Sequence, residues 1–157
     1  MYYFRKSKGK KIKLFVIVLL SILTLQSCFK NGYVSEDSFI GKWQLEGREI
    51  YNGMTIQIKN TSGQLKGYVI DCPNNQYGKS FLKEGDIWIT DINRCANYYF
   101  KLKEQKIGNK LLSQYEIKTT SEFYITFSEN KDTIFLLDKR PNRILEKSKI
   151  YYKKLKE

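Results

Sequence analysis

An all-β fold, an antiparallel up-and-down barrel of about 8–10 strands, is what residues 38–157 of this 157-residue chain predict. Three observations predict it. Apolar residues recur with a period of two, which marks half-buried strands rather than amphipathic helices. Short polar clusters rich in Gly, Asn, Asp and Ser separate the runs at hairpin lengths. The only two prolines, Pro73 and Pro141, both fall outside the alternating runs, where they remove no ladder hydrogen bond.

The chain opens differently. Residues 1–13 carry Arg5, Lys6, Lys8, Lys10, Lys11 and Lys13 and no acid. Leu14 to Leu25 ("LFVIVLLSILTL") is apolar apart from Ser21 and Thr24, and then come Gln26, Ser27 and Cys28. A basic start, a short apolar core and a small residue before a cut is the layout of a secretory signal peptide. An apolar run of 12 residues is too short to cross a bilayer, which takes about 20. The expected organisation is therefore a signal over 1–27, a tether over 28–37 and a barrel domain over 38–157. Removing the six basic residues of 1–27 from the chain's 28 leaves 22 Lys and Arg against 16 Asp and Glu, a net +6. A surplus of that size favours anionic headgroups or an acidic partner.

Strands are expected near 42–51, 54–59, 65–71, 80–83, 86–91, 97–103, 111–119, 122–128, 133–138 and 147–153. Met54, Ile56 and Ile58 alternate with Thr55, Gln57 and Lys59, and Ile87 and Ile89 flank Trp88. Tyr98, Phe100 and Leu102 alternate with Tyr99, Lys101 and Lys103; Tyr115 and Ile117 alternate with polar neighbours; Phe123, Ile125 and Phe127 alternate with Tyr124 and Thr126. "IFLL" (134–137) is continuously apolar, as in a strand covered on both faces. Asn52-Gly53 predicts a two-residue hairpin with positive φ at both positions. The stretch 142–157 is open between helix and strand.

Cys72 and Cys95 are the remaining cysteines once Cys28 is set aside. In an oxidising compartment an even pair defaults to a disulfide, closing a ring of about two dozen residues worth roughly 3 kcal/mol. Their spacing fits no zinc pattern. The chain has no histidine, hence neither the commonest zinc ligand nor the usual general base at neutral pH. A phosphate-gripping glycine loop is missing too, so no cofactor, no metal and no enzymatic role are expected. Binding is the expected activity. An eight-stranded barrel is filled by side chains or holds one small ligand, and the inward candidates for an apolar pocket are Tyr98, Phe100, Leu102, Tyr115, Phe123, Ile125 and Phe127.

Two resemblances sharpen these expectations. Leu25-Gln26-Ser27-Cys28 resembles the lipobox of bacterial lipoproteins. It implies that Cys28 becomes the acylated first residue of the mature chain, tied to a membrane of the cell envelope, with the domain in the periplasm. "FIGKWQLEG" (39–47) resembles the Gly-x-Trp opening of a lipocalin or calycin-type barrel. That resemblance implies that Gly41 permits a tight approach and that Trp43 plugs one end. It also implies a basic residue from the last strand over the Trp: Arg143, Lys149 or Lys153. Its functional implication is a small apolar or amphipathic ligand. A second class resembles the periplasmic lysozyme inhibitors: a protein partner would be met by "CPNNQY" (72–77) and "NRCANYY" (93–99), held together by the disulfide. Lysines and aromatics on strands also suit single-stranded nucleic acid, but an exported chain does not meet it, so no nucleic-acid partner is expected.

Overall fold

The computed structural model describes residues 32–73, 81–106, 113–142 and 146–156. The barrel unit runs from Val34, which is buried and whose N–H donates to Asn97 O. Eight strands follow in chain order: β1 Gly41–Glu46, β2 Thr55–Thr61, β3 Gln64–Asp71, β4 Ile87–Arg94, β5 Tyr99–Gln105, β6 Thr120–Phe127, β7 Thr133–Leu137 and β8 Tyr151–Lys154. Each pairs antiparallel with the next, and β8 returns to β1, closing an up-and-down barrel. Among the described residues no helix is long and apolar enough to cross a membrane.

Closure makes the period-two pattern sufficient for a core, because every strand turns one face to the interior. Trp43 and Leu45 (β1), Ile56 and Ile58 (β2), Leu65 and Val69 (β3), Phe100 and Leu102 (β5), Ile125 and Phe127 (β6), Ile134 and Leu136 (β7) and Tyr152 (β8) are all buried. The outer side of β7 is covered in part, as "IFLL" suggested. Phe135 meets Tyr151 at 6.2 Å between ring centroids, and Thr126 Oγ1 on neighbouring β6 donates to Glu146 O of the β7–β8 connection.

Several expected elements differ. No strand occupies 81–83 or 113–119; those residues belong to the β3–β4 and β5–β6 connections. Asn52-Gly53 is not a two-residue hairpin. Asn52 has φ −58° and only Gly53 is positive, at 83°, in a turn that closes an eight-residue connection containing a 3₁₀ turn at Glu49–Tyr51. The turn with positive φ at both centres is Ser62-Gly63 (54° and 83°), which joins β2 to β3 directly. Strict alternation also fails in β4. The β3–β4 ladder runs Gly67↔Ile89 then Tyr68↔Ile87, leaving Trp88 as the extra residue of a bulge. A bulge re-aims a side chain, so Trp88 and Ile89 are both buried while Ile87 is exposed.

The two ends of the barrel are unequal. At one end the connections take two, four and five residues (62–63, 95–98 and 128–132); at the other they take eight, fifteen, fourteen and thirteen (47–54, 72–86, 106–119 and 138–150). We call these the plug end and the loop end.

Candidate functional site: a buried ion pair beneath the loop end

The plug end is solid. The 3₁₀ turn Glu36–Phe39 puts Phe39 into the barrel, 4.8 Å from Phe100 and 4.7 Å from Phe127 between ring centroids. Trp43 Nε1 donates to Phe39 O at 2.7 Å, so the buried indole has its partner. The cation over Trp43 is Lys154, whose Nζ lies 5.2 Å from the ring, and not Lys149 or Lys153; Arg143 lies outside the described residues. Register decides this. Trp43 pairs with Lys154 across β1–β8, so both point inward, while Lys153 points out. Gly41, at φ +133°, makes room for it: a Cβ there would stand 3.2 Å from Lys154 Cε. Arg94 fastens the entering chain, donating from Nη2 to Val34 O at 2.8 Å and lying 4.6 Å over Phe100.

Beneath the loop end the interior changes character. Phe100 and Leu102 are followed at the next inward position of β5 by Glu104, which is 2% exposed. One carboxylate oxygen accepts from the Tyr152 hydroxyl, and Oε2 accepts from Arg48 Nη1 at 2.6 Å. Tyr152 in turn accepts from Trp88 Nε1 at 2.7 Å. Arg48 arrives from the β1–β2 connection; its side chain is 19% exposed and its guanidinium lies 5.2 Å from the Phe123 ring centroid. Tyr51, from the same connection, meets Trp88 at 5.0 Å between centroids.

Electrostatics follow from this placement. Burial alone would lower the Arg48 pKa, but Glu104, with help from the two tyrosines, more than offsets it, so the net shift is upward. Burial, then the Glu104 charge and its hydrogen bond, push the Tyr152 phenol well above its ordinary value of 10.0. Burial also raises Tyr51, against the opposing pull of Arg48. The result is a neutral, hydrogen-bonded pair walled by aromatic rings. Its chemical competence is to hold charge and orient donors.

The predicted pocket residues divide. Phe100, Leu102, Ile125 and Phe127 are buried core, the first and last of them packed on Phe39. Phe123 is half-buried against the core, and its ring lies beside the Arg48 guanidinium of the polar network. Tyr98 precedes β5, outside the core, and meets Tyr99 at 5.2 Å; Tyr115 is 69% exposed in the β5–β6 connection. Cys28 lies outside the described residues.

The expected disulfide is not formed. Cys72 Sγ donates to Leu82 O at 3.3 Å, while Cys95 Sγ lies 3.9 Å from Asn93 O. Cys72 follows β3 at the loop end and Cys95 follows antiparallel β4 at the plug end. An eight-residue strand spans about 27 Å, and a disulfide needs Cα atoms within about 7 Å. The same separation puts Cys72 and Pro73 at the opposite end from 93–99, and residues 74–77 of the expected recognition surface lie outside the described residues.

No family model matches this chain, and neither a curated protein nor a solved structure with significant similarity to it was found.

Arg48, Glu104, Trp88 and Tyr152 were not anticipated as a site. Glu104 had a signal: it extends the spacing Phe100, Leu102 and places a carboxylate where the alternation demands an apolar residue. Arg48 had none, because its loop sets its direction.

Proposed function

We propose that this chain is a lipid-anchored lipoprotein of the bacterial envelope, with a lipocalin-like domain in the periplasm that binds a small amphipathic ligand at the loop end. The observation that carries the reading is the division of the interior. The plug half is filled by Phe39, Trp43, Phe100 and Phe127. The loop half holds a buried carboxylate and its donors under long connections that expose Ile50, Phe81, Tyr115 and Ile117, with Ile87 exposed at the start of β4. A ligand site joins an apolar surround to a few placed polar groups, and this end offers both. The lipocalin-like assignment is supported by Gly41, Trp43 and Lys154, and the anchor by the sequence Leu25 to Cys28.

The test uses the full chain in lipid nanodiscs, with empty discs subtracted. A fluorescent amphiphile with a short alkyl chain should bind saturably. Phe123→Ala should weaken that binding at least fivefold and Phe135→Ala, on the outer face, should leave it unchanged. No saturable binding by the folded protein, or equal effects of the two substitutions, would overturn the reading. Separately, labelled palmitate should enter the native chain in cells and not Cys28→Ser; equal labelling would remove the envelope assignment.

A further inference from the structure

Arg48 sits in what is, without it, a receptor for a cation. A carboxylate 2% exposed faces the guanidinium, Tyr152 and Trp88 hold that carboxylate in place, and Phe123 presents its ring 5.2 Å from the charge. Aromatic faces and a dry carboxylate together are the means by which proteins bind organic cations. Here the occupant is delivered by a connection, 47–54, and not by a strand. That segment holds itself together: Gly47 N–H donates to Asn52 Oδ1 at 2.8 Å and Gly53 N–H to Leu45 O at 2.8 Å. Its side-chain holds on the barrel interior include Arg48 on Glu104 and Tyr51 on Trp88. A segment so attached can release those two side chains without disturbing the β1–β2 ladder.

We infer that the Glu104 site is a cation cage for which Arg48 is the internal stand-in, and that the ligand of the loop end is an amphipathic organic cation, of guanidinium or alkylammonium type, that displaces it. The inference rests on the ligand-binding reading above and adds the sign of the headgroup. The head replaces the guanidinium on Glu104. The apolar part leaves the cage toward the connections that carry Ile50, Phe81 and Tyr115. An anionic head is refused, because Glu104 would face it. A neutral head of the same shape gains no charge-assisted bond and leaves Arg48 where it is.

Three isosteric probes test this on the full chain in nanodiscs: butylguanidinium, butylurea and hexanoate. Emission of Trp88, hydrogen-bonded inside the cage, is the readout, with Trp43 at the plug end as the constant background. Butylguanidinium alone should bind the native chain. Arg48→Ala should bind it about tenfold tighter or more, because the competing occupant is gone and the open state no longer has to be populated first. Arg48→Ala/Glu104→Gln should lose binding. The cation at millimolar concentration should raise the Tm of Arg48→Ala and leave that of the double variant unmoved. Should Arg48→Ala not fold, Arg48→Gln, which keeps a donor for Glu104, carries the same comparison. Equal binding of butylurea and butylguanidinium would sink the cation class and spare the amphipathic-ligand reading. Binding by Arg48→Ala without any by the native chain would overturn the displacement. Binding of no probe by any folded variant would end both.

Discussion

Remove the Arg48 guanidinium and Glu104 is left as an uncompensated charge, 2% exposed, in the barrel interior. Breaking a buried pair from one side costs about 3–5 kcal/mol, most of it the stranded charge and not the lost attraction. Arg48→Met keeps much of the aliphatic stem and isolates that electrostatic loss. For a domain of this size roughly 4 °C of Tm accompanies each kcal/mol, so Tm should fall by about 12–20 °C. The loop end admits some water to Arg48, whose side chain is 19% exposed, which favours the lower part of that range. Glu104→Gln, made on top of Arg48→Met, removes the stranded charge and keeps an acceptor for Tyr152. The double variant should therefore be more stable than Arg48→Met alone by about 1–3 kcal/mol. Urea unfolding followed by tryptophan emission measures all four corners of the cycle. A double variant no more stable than the single one would refute the claim that Glu104 is charged and dry inside the barrel.

Two further outcomes are expected. Tyr152 is wholly buried beside Glu104, and its folded pKa is raised; an acid so shifted contributes stability that is complete below its unfolded value and lost as pH rises above it. Above pH 10 the unfolding free energy should thus fall by about 1.4 kcal/mol per pH unit, with Tyr51 adding in the same direction, and Tyr152→Phe should flatten the slope; identical slopes would contradict the placement. Cys72 and Cys95 are set at opposite barrel ends, so peptide mapping of the non-reduced protein should find no Cys72–Cys95 bridge, and finding one would contradict the strand order.

Alternation was legible wherever a strand is regular. β2, β5 and β6 lie where Met54–Ile58, Phe100–Leu102 and Phe123–Phe127 predict them, because a closed barrel asks each strand only for one apolar face. What escaped was set by relations between strands. Lys154 replaces Lys153 over Trp43 because cross-strand register, invisible in one strand, puts Trp43 opposite Lys154. Trp88 turns inward because of a bulge in the ladder with β3. The disulfide failed for the same kind of reason: neighbouring antiparallel strands finish at opposite ends, and the spacing of Cys72 and Cys95 carries no record of direction. Asn52-Gly53 had the composition of a tight hairpin, but Arg48 and Tyr51 before it are drawn into the barrel, and the connection lengthens to let them in.

The interior ion pair is the least economical feature of the barrel if stability is its only purpose. Apolar residues of the same volume at positions 48 and 104 would do as well or better, since a buried pair recovers its desolvation cost only in part. The plug end shows how this chain packs when firmness is the aim: rings on rings, the Trp43 N–H satisfied by Phe39 O, and a lysine ammonium placed over the indole. At the loop end the same barrel instead takes up a carboxylate, points a tyrosine at it, holds that tyrosine with a tryptophan, and recruits the counter-charge from a connection. A cation brought by a strand would be permanent. One brought by a loop is exchangeable, because its release leaves every strand pair intact. Binding at this barrel is therefore to be sought where the chain supplies its own removable ligand, and not among the phenylalanines that fill the other half.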